Sequence, residues 1–178
     1  MQKQQPRPID YSYWIEPGRV LAGEYPQAFD EEELRAGMRS MLKAGVTFFL
    51  NLTEENERRL EPYHDLLKEE AVALEISAEH CRMPIRDFQT TSAEHMKKII
   101  QIIDNALAAG HKVYIHCFAG IGRTGMTAGC YLASHGRSGE EALDKLARMK
   151  QGTPFEDSDI PVTYDQQDMV KNWGSGKD

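Results

Sequence analysis

The stretch KVYIHCFAGIGRTG, Lys112 to Gly125, constrains the fold of this chain more than any other. Its first five residues are short, β-branched and aromatic, the composition of a buried central strand. A loop containing Gly120 and Gly122 follows, and Arg123 to His135 then reads as a helix that ends at Gly136. A buried strand that enters a helix through a short loop belongs to a layered α/β fold. In such sheets ligands sit at the carboxyl ends of the strands.

The segments on either side alternate in the same sense. Trp14 to Ala22 reads as extended chain broken at Pro17-Gly18. Asp30 with Glu33 marks a helix start, and Leu34, Met38, Met41 and Leu42 share one face up to Gly45. VTFFLNL then reads as a strand, Pro62 to Glu70 as a short helix, and Val72 to Ile76 and Cys81 to Ile85 as two further strands. Thr91 and Glu94 form the next capping pattern, ahead of Met96, Ile99, Ile100, Ile103 and Leu107 at helical spacing. Ser138 and Glu141 open a helix carrying Leu143, Leu146 and Met149, and a last helix is expected from Gln166 to Trp173. The expectation is one α/β domain over residues 13–178, with a largely parallel central sheet flanked by helices, behind a flexible N-terminal arm of residues 1–12.

With 178 residues and 40% hydrophobic side chains, such a domain can bury a core without disulfide or metal. No Cys/His group has ligand spacing, so neither a metal nor another cofactor is expected. A net charge of -7 argues against nucleic acid and anionic membrane surfaces as partners, so any anion must meet positive potential gathered locally. The polar start lacks a signal-peptide core, and the strongest apolar run, Gly45 to Leu50, is too short to cross a bilayer. Cys81, Cys117 and Cys130 are an odd, sparse set that fits a reducing compartment. A cytoplasmic monomer is the expectation.

The loop itself carries the chemistry. Gly120 and Gly122 let the backbone of Phe118, Ala119, Gly120, Ile121 and Gly122 turn its N–H groups around one concavity, and the helix start at Arg123 adds open N–H groups and its positive end. Such a nest suits a tetrahedral dianion, phosphate above all. Cys117 opens the loop at the floor of the nest, where positive potential would hold it as thiolate. Arg123 closes it with a planar fork that can grip two phosphoryl oxygens, and Thr124 can donate its hydroxyl to the sulfur. A thiolate that attacks phosphorus also needs a proton donor for the departing oxygen. Asp87, in MPIRDFQTTS between a strand and a helix, is the candidate, and Arg86 beside it could add charge to the mouth.

HCFAGIGRTG resembles the signature H-C-x5-R-[ST]-G of the cysteine-dependent protein tyrosine phosphatase superfamily, and the chain's size resembles its compact dual-specificity branch. YWIEPGRVLAGEYP resembles the opening strand of small microbial members, PIRDFQTTS their acid loop, and Pro161 to Trp173 their closing glutamine segment. The resemblance implies two-step, metal-free hydrolysis through a phosphocysteine. It implies that Asp87, thirty residues before Cys117, is the acid, that His116 orients the loop, and that Gln166 positions water for the second step. Cys81 could close a protective disulfide on Cys117.

Relatives that act on inositol phosphates often place lysines in the loop, and FAGIG has none. That tilts the expected substrate toward phosphorylated protein or peptide: phosphotyrosine, with phosphoserine and phosphothreonine admitted by a shallow site. Inositol phosphates or another phosphorylated metabolite are the alternative, a phosphate-binding module without turnover is a weaker one, and the acidic balance counts against an RNA 5′ end. Rhodanese-like and arsenate-reductase-like loops fit poorly, the first for want of an acid, the second because its loop lies near the N-terminus.

Overall fold

The computed structural model describes residues 5–174. Chain order runs β1 (Ser12–Glu16), β2 (Val20–Gly23), α1 (Glu31–Lys43), β3 (Val46–Asn51), a 3-10 turn (Glu57–Arg59), α2 (His64–Ala73), β4 (Glu79–Arg82), α3 (Ala93–Ala108), β5 (Lys112–His116), α4 (Arg123–Ser134), α5 (Gly139–Met149) and α6 (Tyr164–Asn172). The strands form one sheet in the order β1-β2-β5-β3-β4, with β1 antiparallel to β2 and the other pairs parallel. This is the expected α/β architecture, and β5 lies at its centre.

Alternate residues of β5 point to opposite faces, as strand geometry requires. Val113 and Ile115 enter a core with Ile99, Ile103, Met126 and Leu146 from α3, α4 and α5. Tyr114 faces the second core, with Met38, Leu42 and Leu67 from α1 and α2. Burial on both faces makes β5 a rigid base for whatever follows it. Two capping patterns form at the residues expected: Asp30 accepts from the Glu33 N–H, and Ser138 with Glu141 makes a reciprocal box.

Three local expectations are corrected. Val72 to Ile76 is no strand: Val72 and Ala73 complete α2, Val72 is 70% exposed, and Glu75 at φ +55 turns the chain so that the Ile76 N–H closes onto Ala71 O. β-Branched content there marked an outward helix face. The strand expected over Cys81 to Ile85 spans Glu79–Arg82 instead, since Pro84 has no N–H to continue a ladder. The cap of α3 is Ser92 accepting from the His95 N–H, one residue beyond the expected Thr91 and Glu94.

Within the expected N-terminal arm, residues 5–11 hold several contacts. Pro6 O accepts from Trp14 Nε1 at 3.1 Å, and Pro8 O accepts from the Ser40 hydroxyl at 2.5 Å. The first four residues of that arm, and the last four of the domain as expected, lie outside the described residues. No helix among the described residues is long and apolar enough to cross a membrane, and no group of three or more of their His, Cys, Asp or Glu side chains could hold a metal ion.

Candidate active site

β5 delivers Cys117 to the carboxyl edge of the sheet, and the neighbouring strands hold the loop from both sides. The Leu52 N–H donates to His116 O at 2.9 Å, and the Tyr25 N–H donates to Phe118 O at 2.8 Å. The Tyr13 hydroxyl takes Gly120 O at 2.9 Å. With these carbonyls engaged outside, the loop's N–H groups are left to the concave side. Gly120 has φ +76, and a Cβ there would lie 2.4 Å from the carbonyl carbon of Gly23, so only glycine fits. Gly122 precedes α4 with no side-chain cap, which leaves the first-turn N–H groups of α4 open toward the loop.

His116 is fully buried behind this loop. Burial, first of all, lowers its pKa to about 3, so it is neutral. Its Nδ1–H donates to Cys117 O at 3.2 Å, and Nε2 accepts from the Tyr63 hydroxyl at 2.6 Å. These two bonds fix its tautomer and tie the loop to α2.

Arg123 is 1% exposed, and its charge is matched from two directions. Its terminal nitrogens donate to the two Glu57 oxygens at 2.6 and 2.7 Å, one of them also reaches Ile85 O at 2.9 Å, and the other lies 3.0 Å from Asp87 Oδ1. Burial alone would lower the guanidinium's pKa; the Glu57 hydrogen bonds and the Cys117, Glu57 and Asp87 charges outweigh it and raise it. The Nε–H carries no bond within the described chain. The arginine is thereby locked in place from behind while one edge remains for a ligand.

Asp87 follows β4 on a loop secured by Met83 N–H to Asn51 O and Ile85 N–H to Leu52 O. Its Oδ2 accepts from Arg58 at 2.6 and 3.2 Å, and Arg58 also covers the Phe118 ring at 4.6 Å. Gln166 is fully buried in α6, where its Oε1 accepts from the Thr163 N–H and its Nε2 donates to Gln89 O of the loop that carries Asp87 at 3.1 Å. Cys117, Arg123, Asp87, Phe118, Ile121 and Gln166 all line one cavity of about 80 Å³. Cavities of about 810 and 800 Å³ lie elsewhere, but neither is lined by a cysteine, and chemistry outranks volume here.

Other sequence expectations fare differently. Thr124 is buried, but its hydroxyl has no hydrogen-bond partner among the described residues, so the expected bond to the Cys117 sulfur is not formed. Arg86 is exposed and does not line the cavity, and the positive charge at the mouth is Arg58 instead. Cys81 cannot close on Cys117 in this fold. It is in register with Leu50, and Leu50 with Ile115, so two strand spacings of about 4.8 Å each, plus two residues, separate it from Cys117. A disulfide needs Cα atoms within about 7 Å. Cys130 is fully buried, and desolvation pushes its thiol up.

Nothing in the local sequence singles out Glu57 or Arg58 from the charged run around them. Asn56, Arg58 and Arg59 have φ of +60, +48 and +55, and this left-handed path carries Glu57 inward and Arg58 across the mouth. A run without helical or strand period was the one signal in the sequence, and it did not say which carboxylate turns in.

The comparisons accord with this geometry. The model of the Swiss Army Knife protein DSP-PTPase phosphatase domain, PTP-SAK, matches residues 10–159. "Putative tyrosine phosphatase 067L" of Invertebrate iridescent virus 3 is 31% identical over 121 residues, 65% of this chain and 42% of that protein. The chain thus spans less than half the length of that curated relative. The crystal structure of Tk-PTP in the active form is similar with a TM-score of 0.73 at 24% identity, covering 93% of this chain and 97% of that one. PTPMT1 in complex with PI(5)P gives 0.70 at 23%, covering 92% and 94%. Both likenesses bear on the fold. The chain belongs to the PTP-SAK family of DSP-PTPase phosphatase domains.

Proposed function

We propose that this protein hydrolyses phosphate monoesters through a phosphocysteine, with phosphotyrosine in proteins or peptides as its main substrate and phosphoserine or phosphothreonine also accepted. The observation that carries the reading is the convergence of Cys117, Arg123 and Asp87 on one small cavity ringed by backbone donors. In the first step the Cys117 sulfur attacks phosphorus, the S–P bond forms, and the ester P–O bond breaks while the Asp87 carboxyl gives its proton to the departing oxygen. In the second, water attacks phosphorus, Asp87 takes a proton from it, and the S–P bond breaks to release phosphate. Arg123 and the loop N–H groups follow the charge on the equatorial oxygens through both steps. Gln166, buried at the same wall, orients the water; its lining of the cavity supports this role.

The aryl preference is supported by the rings at the mouth. Phe88 is 59% exposed and lines the cavity, with Phe118 also lining it, so a phenyl ester has flat surfaces to lie against. A second reading, hydrolysis of an inositol phosphate, draws on the PTPMT1 structure in complex with PI(5)P and on the cationic Arg58 at the rim. Turnover of matched phosphotyrosine and phosphothreonine peptides, beside a panel of inositol phosphates, separates the readings. Phosphotyrosine peptide should be turned over fastest, and an inositol phosphate surpassing both peptides would reverse the assignment. Asp87→Asn should slow alkyl esters about 10²-fold or more and activated aryl phosphates far less, and an equal loss on both would remove Asp87 as proton donor.

A further inference from the structure

On the far side of the 54–60 segment from Cys117 lies a second cavity, of about 490 Å³, at the carboxyl ends of β3 and β4. Arg82, His80, His64, Thr53 and Glu57 line it. Among the described residues the Arg82 guanidinium makes no hydrogen bond or ion pair, and its Nε is buried without a partner. Asn51 stands beside it: the two are register partners across β3 and β4, so their side chains leave the same face of the sheet about 4.8 Å apart. Asn51 is fully buried, and its Oδ1 accepts from both the N–H and the hydroxyl of Thr53, at 2.9 and 2.7 Å. Those two donors identify the oxygen, so the remaining end of the amide is the donor Nδ2, and it too has no partner.

The cavity wall therefore offers a guanidinium that nothing among the described residues receives, and the unpartnered Asn51 amide lies beside it in the sheet. A buried donor left this way is costly, by about 1–3 kcal/mol, and a guanidinium kept so in a cavity wall points to a ligand that accepts from it. Burial, with the His64 and Arg82 charges, lowers the His80 pKa to about 4, so Arg82 is the charge that defines the floor. Glu54 and Glu55 are exposed residues of the rim, and Glu57 is already neutralised by Arg123. We infer that this cavity is a second oxyanion site, in which Arg82 holds a group of the phosphate class separate from the one over Cys117.

Calorimetric titration of the Cys117→Ser chain with inorganic phosphate tests it. Two phosphates per chain are expected, falling to one when Arg82→Met is added. A single phosphate before Arg82 is touched, or two afterwards, would overturn the site. Should Arg82→Met impair folding, Arg82→Lys keeps the charge and removes the fork. It should weaken the second event about tenfold, and an unchanged second event would count against the site. Crystals soaked in tungstate should show metal density beside Arg82 as well as in the Cys117 loop. Density in the loop alone, or a second tungstate seen at crystal concentration only, would refute it. A ligand bearing two phosphoryl groups reveals the source of the oxyanion. If the substrate supplies it, Arg82→Met weakens that ligand about tenfold and spares a monophosphorylated one; if free phosphate does, both are spared and the second phosphate event is still lost.

Discussion

The loop from Cys117 to Gly122 and the segment from Glu54 to Leu60 reach Arg123 from different sides, yet they are held in shape by different means. The first is an extension of the central strand, pinned through Leu52, Tyr25 and Tyr13, and its single left-handed residue is a glycine. The second is mostly exposed and follows a left-handed path through Asn56, Arg58 and Arg59, none of them glycine. Its anchors are distant charges: Glu57 on Arg123 and Arg58 on Asp87. A loop held mostly through backbone groups of its neighbours asks little of their side chains, although those neighbours are distant in sequence. A segment held by ion pairs depends on the identity of particular charged side chains, more than sixty and nearly thirty residues away. The two ought therefore to fail differently when altered.

The greatest effect should come from the first loop. Cys117→Ser should lower hydrolysis of an aryl phosphate by about 10⁵-fold or more, while vanadate or phosphate still binds, because the cradle of N–H groups and Arg123 is untouched. Steady-state turnover with a parallel binding titration measures both. Substantial residual turnover would move the nucleophile elsewhere and dissolve the contrast between the loops.

Next comes Glu57→Gln, the main contact of the second segment with Arg123. The neutral amide keeps the shape, but Arg123 loses its closest counter-charge and the fixed bidentate hold. We expect kcat/KM to fall about 10²-fold, comparable to the removal of one oxyanion donor, with kcat carrying most of the loss. Wild-type kinetics in this variant would show that the segment is only a cover. Gly120→Ala then tests the first loop as structure. The new Cβ would meet the Gly23 carbonyl carbon at 2.4 Å and the Glu24 nitrogen at 2.6 Å, from a backbone at φ +76. Overpacking and the left-handed penalty together should cost about 2 kcal/mol or more, read as a lower urea midpoint. An unchanged midpoint would mean that the loop is not seated against β2.

The same contrast explains what could be read from the sequence. Features coded by near neighbours were legible: the caps at Asp30 and Ser138, the apolar faces of α1 and α3, the strand–loop–helix at Cys117, and the loop carrying Asp87 between β4 and α3. Local signals misled where burial, not residue type, decides. Val72 and Ile76 have strand-forming side chains, yet Val72 lies on the outward face of α2. Long-range choices were not legible at all. ENERR holds two glutamates and two arginines that look alike in the sequence. Only the fold shows that Glu57 turns toward Arg123 while Arg58 bridges to Asp87. Arg86, the nearer neighbour of Asp87 in sequence, is exposed and does not line the cavity.

The smallest effect isolates the strain in the second segment. Arg59 has φ +55, is exposed, and makes no side-chain hydrogen bond or ion pair among the described residues. A left-handed conformation costs an L-residue with a Cβ about 1–2 kcal/mol, and glycine escapes it. Glycine also gains freedom in the unfolded chain, which returns part of that benefit, so Arg59→Gly should stabilise the protein by about 0.5–1 kcal/mol. Its kinetics should stay unchanged, because Glu57 and Arg58 keep their partners. Urea denaturation and steady-state assays on one preparation measure both quantities. A lower midpoint would mean that Arg59 contributes contacts outweighing its backbone cost. A lower rate with a higher midpoint would be more telling. It would mean that the strained path of the segment is what presses Glu57 onto Arg123, so that relaxing it loosens the arginine.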